Sequence, residues 1–363
     1  MHGAVRGAGW VGALVALLVG TVVASAAVGS VTIPPLTTAK VLLEAVVVPT
    51  SIDLAWSAAQ GGLTSMVPAI QVGYSPVATF AVPETSRTII LGIRLPRIVL
   101  GSLVGFALAG AGAVMQGFFR NPMADPSIIG VSSGAAVGAV AAITLPLGLR
   151  LHTAAFLTGL ATAFAVYLIA TEGGRTPVAT LLLAGVAVQT FLGAVISYML
   201  VHSGESLQQA VFWLMGHLHN ATWADVRITL VTVPPLFVAL LWYARDLNVL
   251  LLGEEDARTL GIEVERTKRM LLGLSSLLTA TAVAVAGVIG FVGLIVPHVM
   301  RLLVGPDHRL LLPTSALAGA AFLVATDTVA RTGTAELPVG IVTAALGAPF
   351  FLYLLRRREV HAL

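Results

Sequence analysis

LLGLSSLLTATAVAVAGVIGFVGLIVPHVM, residues 271–300, runs for thirty positions without one Asp, Glu, Lys or Arg. A helix crossing the hydrocarbon of a bilayer needs about 20 apolar residues. Thirty is too many for one crossing, and Gly287 and Gly290 offer a turn between two. The stretch reads as two consecutive spans, which makes this a chain built for lipid.

Composition agrees. The 363 residues are 57% hydrophobic and 10% charged, with mean hydropathy +0.95. A soluble domain carries about 25% charged residues, so too little polar surface remains here to cover a globule in water. Backbone groups at depth must pair within their own segment, which favours helices. The expected class is an all-α polytopic membrane protein, with residues 1–363 forming one transmembrane domain. Apolar runs between charged or Pro/Gly-rich breaks give ten spans: 10–30, 97–118, 128–146, 152–170, 180–201, 227–244, 269–287, 288–304, 313–330 and 338–355.

Several chemistries are excluded. The chain has no cysteine, so disulfides, thiolate metal sites and cysteine nucleophiles drop out. Its two lysines follow Ala39 and Thr267, so there is no Gly-Lys-Ser/Thr phosphate loop. His-Glu-x-x-His is also missing. The weak basic excess fits the inside-loop bias of a membrane protein rather than nucleic-acid binding.

That bias sets the orientation. With the N-terminus inside, Arg6, Arg120, Arg175, Arg245, Arg258, Arg266, Lys268, Arg269, Arg301, Arg309 and Arg356, Arg357 and Arg358 lie on inner segments, thirteen of twenty. Lys40, Arg87, Arg94, Arg97, Arg150, Arg227 and Arg331 lie outside. LLRRREV (354–360), directly after a span, is the firmest inner anchor. The first run has two readings: a retained helix, or a signal peptide cut near Ala24-Ser25-Ala26. Residues 32–93 are expected to form an extended external cap with a short helix near 37–47, broken elsewhere by Pro34, Pro35, Pro49, Pro68, Pro76 and Pro83. The inner loop 245–268 suits two short amphipathic helices broken at Gly253 and Gly261.

Small residues recur every fourth position at Gly101, Gly105, Ala109 and Ala113, and again at Gly134 and Gly138. Helices in lipid associate through such close approach, so a tight bundle is expected. His217 and His219, two apart near Trp213 and Trp223, read as interfacial more readily than as metal ligands, and no metal site is expected. His298 reads as packed behind Pro297, with a proton relay as the other possibility. The polar segment QGFFRNPMADPSIIGVSSGA (116–135) reads equally as a cavity mouth or an ordinary inner turn.

Seven motifs together resemble one family. RLPR (94–97), the 116–135 segment, LLLAGVAV (181–188), FWLMGHL (212–218), ARTLGI (257–262), GFVGLIVPHVMR (290–301) and ELPVGIVTAALGAPFFLYLL (336–355) look like the membrane subunit of binding-protein-dependent ABC importers. The branch is the iron-chelate and cobalamin one, of FecCD type. The resemblance implies the type II permease architecture in the plasma membrane. It also implies a homodimer with the pathway on its two-fold axis, two cytoplasmic ATPase subunits that bind the ATP, no cofactor of its own, and an external binding protein delivering a metal chelate such as cobalamin, a ferric siderophore or haem.

It further implies site residues. Arg94, Arg97 and Arg331 match positions that receive acidic residues of the binding protein; arginine's planar fork suits carboxylates, although headgroup anchoring is an alternative. The coupling segment matches Leu251, Leu252, Ala257, Leu260 and Gly261 in the ATPase groove, with Glu254, Glu255 and Arg258 on its rim and Asp307 and His308 beside it. Gln189, Thr190, Ser197, Thr343 and Gly347 are expected along the path. At the inner gate the family is short and polar; here TPVAT (176–180) puts Pro177, Val178 and Ala179 at the narrow point, where an apolar constriction seals by dewetting. The rival classes are an ion-coupled secondary transporter, which would carry deep ionisable residues, and an intramembrane enzyme, for which no nucleophile, base or metal pair is spaced.

Overall fold

The computed structural model describes residues 2–29, 31–58, 66–146, 148–333 and 335–356. Ten apolar helices correspond one to one with the ten expected spans: α1 (His2–Ala27), α4 (Leu95–Phe118), α5 (Val131–Thr144), α6 (Leu151–Ala170), α7 (Val178–Val201), α9 (Trp223–Trp242), α12 (Val264–Ala286), α13 (Val292–Val304), α14 (His308–Ala330) and α15 (Val339–Arg356). Seven have the length and apolarity to cross a membrane, and α5, α13 and α15 are shorter apolar helices. The inner anchor Arg357 and Arg358 lies outside the described residues.

Glycine and alanine place α4 at the centre. From Leu100 to Phe118 all but three of its residues are buried, because its small faces let neighbours approach closely. A Cβ at Gly105 would collide with the Gly319 carbonyl of α14, and one at Gly112 with the Gly293 carbonyl of α13. Gly134 and Gly138 of α5 likewise abut Thr162 and Thr158 of α6. Both small-residue stripes therefore act as contact seams.

The break in the 271–300 stretch falls where the glycines put it. Gly287 takes φ +71° and Phe291 φ +68°, so α13 starts four residues later than the apolar run suggests. The end of α12 is pinned: the Ala286 carbonyl accepts from the His217 N–H at 2.7 Å, and a Cβ at Gly287 would strike the Trp213 carbonyl. Trp213 belongs to α8 (Leu207–Leu214), a short helix in the outer connection between α7 and α9.

The 32–93 cap contains the helix α2 (Pro35–Glu44) and also an antiparallel hairpin, β1 (Val47–Ala58) with β2 (Met66–Pro76), which its prolines argued against. In a two-strand ribbon each strand is an edge, where proline costs no ladder bond, and the register shifts at Pro49/Ser51. The cap is tied down by Glu44, which accepts from the Phe80 N–H at 2.6 Å and from Arg87 at 2.8 Å. The Phe80 bond and then Arg87 hold its carboxyl below the usual range. After α3 (Glu84–Thr88) a π-helical turn, Ile89–Arg94, leads straight into α4. Ser25 and Ala26, in the possible cleavage tripeptide, are buried, and Ser25 Oγ bonds Thr328 and Arg331 of the α14 end at 2.8 and 2.6 Å. These contacts make α1 part of the bundle and favour the retained-helix reading.

Candidate functional site

Charged side chains gather at the two ends of the bundle. At the outer end, Arg97 opens α4 and Asp327 closes α14. Their side chains pair two-pronged, with Arg97 Nε 3.0 Å from Oδ2 and Nη2 3.0 Å from Oδ1. Arg331, one turn after Asp327, approaches the same carboxylate at 3.1 Å. Arg97 Nη1 reaches Glu336 Oε2 at 2.9 Å. That bond, ahead of all else, holds the Glu336 carboxyl below its ordinary value. Arg94 donates to the carbonyls of Ala26 at 2.6 Å and Ala27 at 3.1 Å, and to Val31. Ala26 and Ala27 end α1, where carbonyls lack helical partners and a cation also meets the negative end of the helix dipole; Val31 follows in the connection to α2.

These are the three positions expected to receive a binding protein. Arg94, Arg97 and Arg331 are 5–7% exposed, and their donors serve the chain itself. Arg94 caps a helix and Arg331 clasps Ser25 and Asp327. Only the Arg97–Glu336 contact has a partner open to solvent, since the Glu336 side chain is 52% exposed.

Beside this cluster lies a cavity of about 430 Å³, lined by Glu205, Gln208, Phe212, His217 and His219 among others. The two imidazole centroids are 4.5 Å apart, and both rings sit against Phe212. Burial first, then the neighbouring His219, His152 and Arg97, push His217 down to about 4. Among the described residues no group of three metal-ligating side chains forms.

At the inner end, α10 (Ala244–Leu250) and α11 (Glu254–Thr259) are the two short helices expected of the 245–268 loop. Gly253 at φ +135° and Gly261 at φ +85° break them. Leu252 and Leu260 stand exposed, with Glu255 and Arg258 beside them, and Leu251 is half-buried. Ala257 is fully buried, which removes it from any surface that could enter a partner's groove. Asp307 and His308 anchor the base: Asn248 Nδ2 donates to Asp307 at 2.6 Å, and Asn248 Oδ1 accepts from the His308 N–H at 2.9 Å. The 116–135 segment makes a turn at this end, and its Phe118, Phe119 and Arg120 also line a cavity. Asp125 accepts from the Ser127 N–H at 2.9 Å, and Gln116 bridges to Leu294 at 2.8 Å and Arg301 at 2.9 Å.

The expected gate residues Pro177, Val178 and Ala179 stand at the start of α7, directly after the buried Thr176. Of the expected path residues, Thr190 and Ser197 lie seven apart on the exposed side of α7, and Gln189 is half-buried, bonded to the Ile128 carbonyl at 2.7 Å. Thr343 and Gly347 are instead buried inside the chain: Thr343 bonds Gly340, and a Cβ at Gly347 would run into the Phe291 ring. Close packing of α15 on the α13 entry removes them from a path. The sequence reading missed Lys268, 4% exposed between Glu254 and Glu265. Its Glu265 partner three positions earlier on one helix was the available signal.

Comparison with known proteins places this architecture. The FecCD transport family matches residues 16–357. The chain is 57% identical to the cobalamin import system permease protein BtuC of Halobacterium salinarum, over 99% of this chain and 98% of that protein. It is 44% identical to the hemin transport system permease protein HmuU of Yersinia pestis, over 74% of this chain and 84% of that one. A solved structure described as an inward-facing conformation of a metal-chelate type ABC transporter superposes with TM-score 0.78 at 32% identity, covering 96% of this chain and 98% of its own. With ten apolar helices in the order and spacing of that architecture, the chain is a multi-pass membrane protein that belongs to the FecCD transport family.

Proposed function

We propose that the chain is the permease subunit of an ABC importer that moves a corrinoid-type metal chelate inward, two copies forming the pathway. The observation that carries this is the inner surface. Leu252 and Leu260 protrude on either side of the short, glycine-bounded helix α11 with acidic and basic neighbours, a stiff apolar knob with a charged rim. It suits the groove of a nucleotide-driven ATPase subunit, and the chain has no phosphate loop of its own. Helix α7 suits a second copy: it buries only Leu181 and Gly185 in its own chain and exposes Leu183, Val186, Phe191 and Tyr198. Thr190 and Ser197 then face the axis, and Pro177, Val178 and Ala179 close it by dewetting.

On the outer rim, an acidic binding protein docks by replacing Glu336 on Arg97, with Arg94 and Arg331 holding the platform. Such pairs steer encounter and set register more than they add affinity. The name of the relative matched along nearly the whole chain favours cobalamin over hemin as cargo.

The test is reconstitution. The chain, co-expressed with a cognate ATPase subunit and binding protein, goes into liposomes, and uptake of labelled cobalamin and of hemin is followed with ATP inside and out. ATP-dependent cobalamin accumulation is expected. Uptake that persists without the ATPase subunit and collapses with the proton gradient would assign the chain to secondary transport instead.

A further inference from the structure

The best-connected buried charge of the inner face lies between the expected coupling helix and the expected gate. Lys268 sits in the second turn of α12, beside the buried Thr267, Leu271 and Leu272, so its backbone is a fixed post. Its ammonium carries three donors and has three acceptors: the Thr176 carbonyl at 2.5 Å, Glu254 Oε1 at 3.0 Å and Glu265 Oε1 at 3.2 Å. Glu254 is the first residue of α11. Thr176 is the last residue before Pro177, where the gate begins. Glu265 closes the ring by accepting from the Thr176 N–H at 3.2 Å.

We infer that Lys268 is the positioning residue that links the ATPase-facing helix α11 to the gate at the start of α7, so that displacement of one moves the other. The inference rests on the permease reading above. Three features of the geometry support it.

The gate side moves as a unit. Residues 171–176 form a closed turn, with Glu172 and Arg175 exchanging backbone bonds at 3.0 and 3.1 Å and the Thr171 and Thr176 hydroxyls 2.9 Å apart. Pro177 has its φ fixed by its ring, so a pull on the Thr176 carbonyl passes into α7 rather than into a loose hinge. Second, there is room. A cavity of about 260 Å³ is lined by Val178 of the gate, Glu254 of α11 and Lys268, with Phe118, Arg120 and Leu250. Third, the residue type fits: a lysine ammonium is a compact charge with rotatable donors, whereas arginine holds a rigid planar fork. Lysine can keep all three acceptors as they shift.

The experiment is the substitution Lys268→Met in the reconstituted importer, reading cobalamin uptake, ATP hydrolysis and retention of the ATPase subunit on the same sample. We expect the ATPase subunit to co-purify and hydrolysis to continue, while cobalamin moved per ATP falls about 5- to 150-fold, the range of a coupling free energy of 1–3 kcal/mol. A merely structural lysine would lower assembly and hydrolysis together and leave the ratio unchanged. An unchanged ratio overturns the inference. If Lys268→Met fails to assemble, the lysine-containing chain decides. Spin labels at Arg175→Cys and Asp256→Cys should keep one mutual distance between nucleotide-free and ATP-trapped states, while each shifts relative to a label at Arg309→Cys. A mutual distance that changes with nucleotide overturns it. Failure of the unsubstituted chain to couple ATP to uptake would refute the permease reading instead.

Discussion

The outer and inner charge clusters use the same chemistry for different ends. Outside, three arginines and two carboxylates join the ends of the long helices α1, α4 and α14, and every member except Glu336 is buried. Inside, one lysine and two carboxylates join a long helix to a six-residue helix and a turn, and both carboxylates reach solvent, Glu254 at 36% and Glu265 at 21%. A buried pair broken on one side leaves an uncompensated charge; a half-exposed carboxylate that loses its partner is solvated by water. The outer cluster is therefore a weld between rigid elements and the inner one a linkage between movable ones. The charge balance also differs, with cation in excess at the rim and anion in excess at the linkage.

The sharpest break in that comparison is Asp327→Asn. It leaves Arg97 and Arg331 buried without their shared carboxylate, and should cost about 3–5 kcal/mol of stability, read as a large drop in thermal unfolding temperature in detergent. Lys268→Met should cost less than half as much on the same assay; equal losses would erase the distinction between weld and linkage. Arg94→Ala removes the side-chain donor from the carbonyls of Ala26, Ala27 and Val31 and should cost about 1–3 kcal/mol, with faster hydrogen exchange confined to the α1 end. Docking of the binding protein should change only as far as stability does, since Arg94 caps rather than contacts.

A pH effect comes next in size. His217 is held down to about 4, below the roughly 6.5 of an unfolded histidine. The unfolded chain then binds more protons between those values, so stability is complete above about pH 6.5 and declines as pH falls toward 4. Melting of the wild type between pH 7 and 5 should fall more steeply than that of His217→Gln. Parallel curves would mean that His217 titrates normally. The smallest effect is expected from Glu336→Gln, which weakens the in-chain competitor for Arg97 and should tighten binding-protein docking severalfold, most visibly at low salt.

How much of this could be read from sequence follows from the range of the interactions. The ten spans were legible because each is a local apolar run, and the break at Gly287 and Gly290 because glycine supplies the positive φ found at Gly287. The two inner helices were legible from Gly253 and Gly261 for the same reason. What was hidden is pairing across distance. Asp327 lies 230 residues from Arg97, and nothing local distinguishes an arginine that faces a partner from one that caps α1. Lys268 and Thr176 are 92 apart. Thr343 and Gly347 suggested a smooth path wall, yet which face of α15 meets Phe291 is decided by packing. The hairpin was masked by prolines that a lone two-strand ribbon tolerates.

The account stands on these two clusters occupying opposite faces of one membrane. Because the chain has no cysteine, single substitutions Glu336→Cys and Leu252→Cys report cleanly to a membrane-impermeant thiol reagent. In intact cells the first should label and the second should label only after the membrane is opened. Labelling of both positions from the same side would contradict the ten-span bundle and everything built on it.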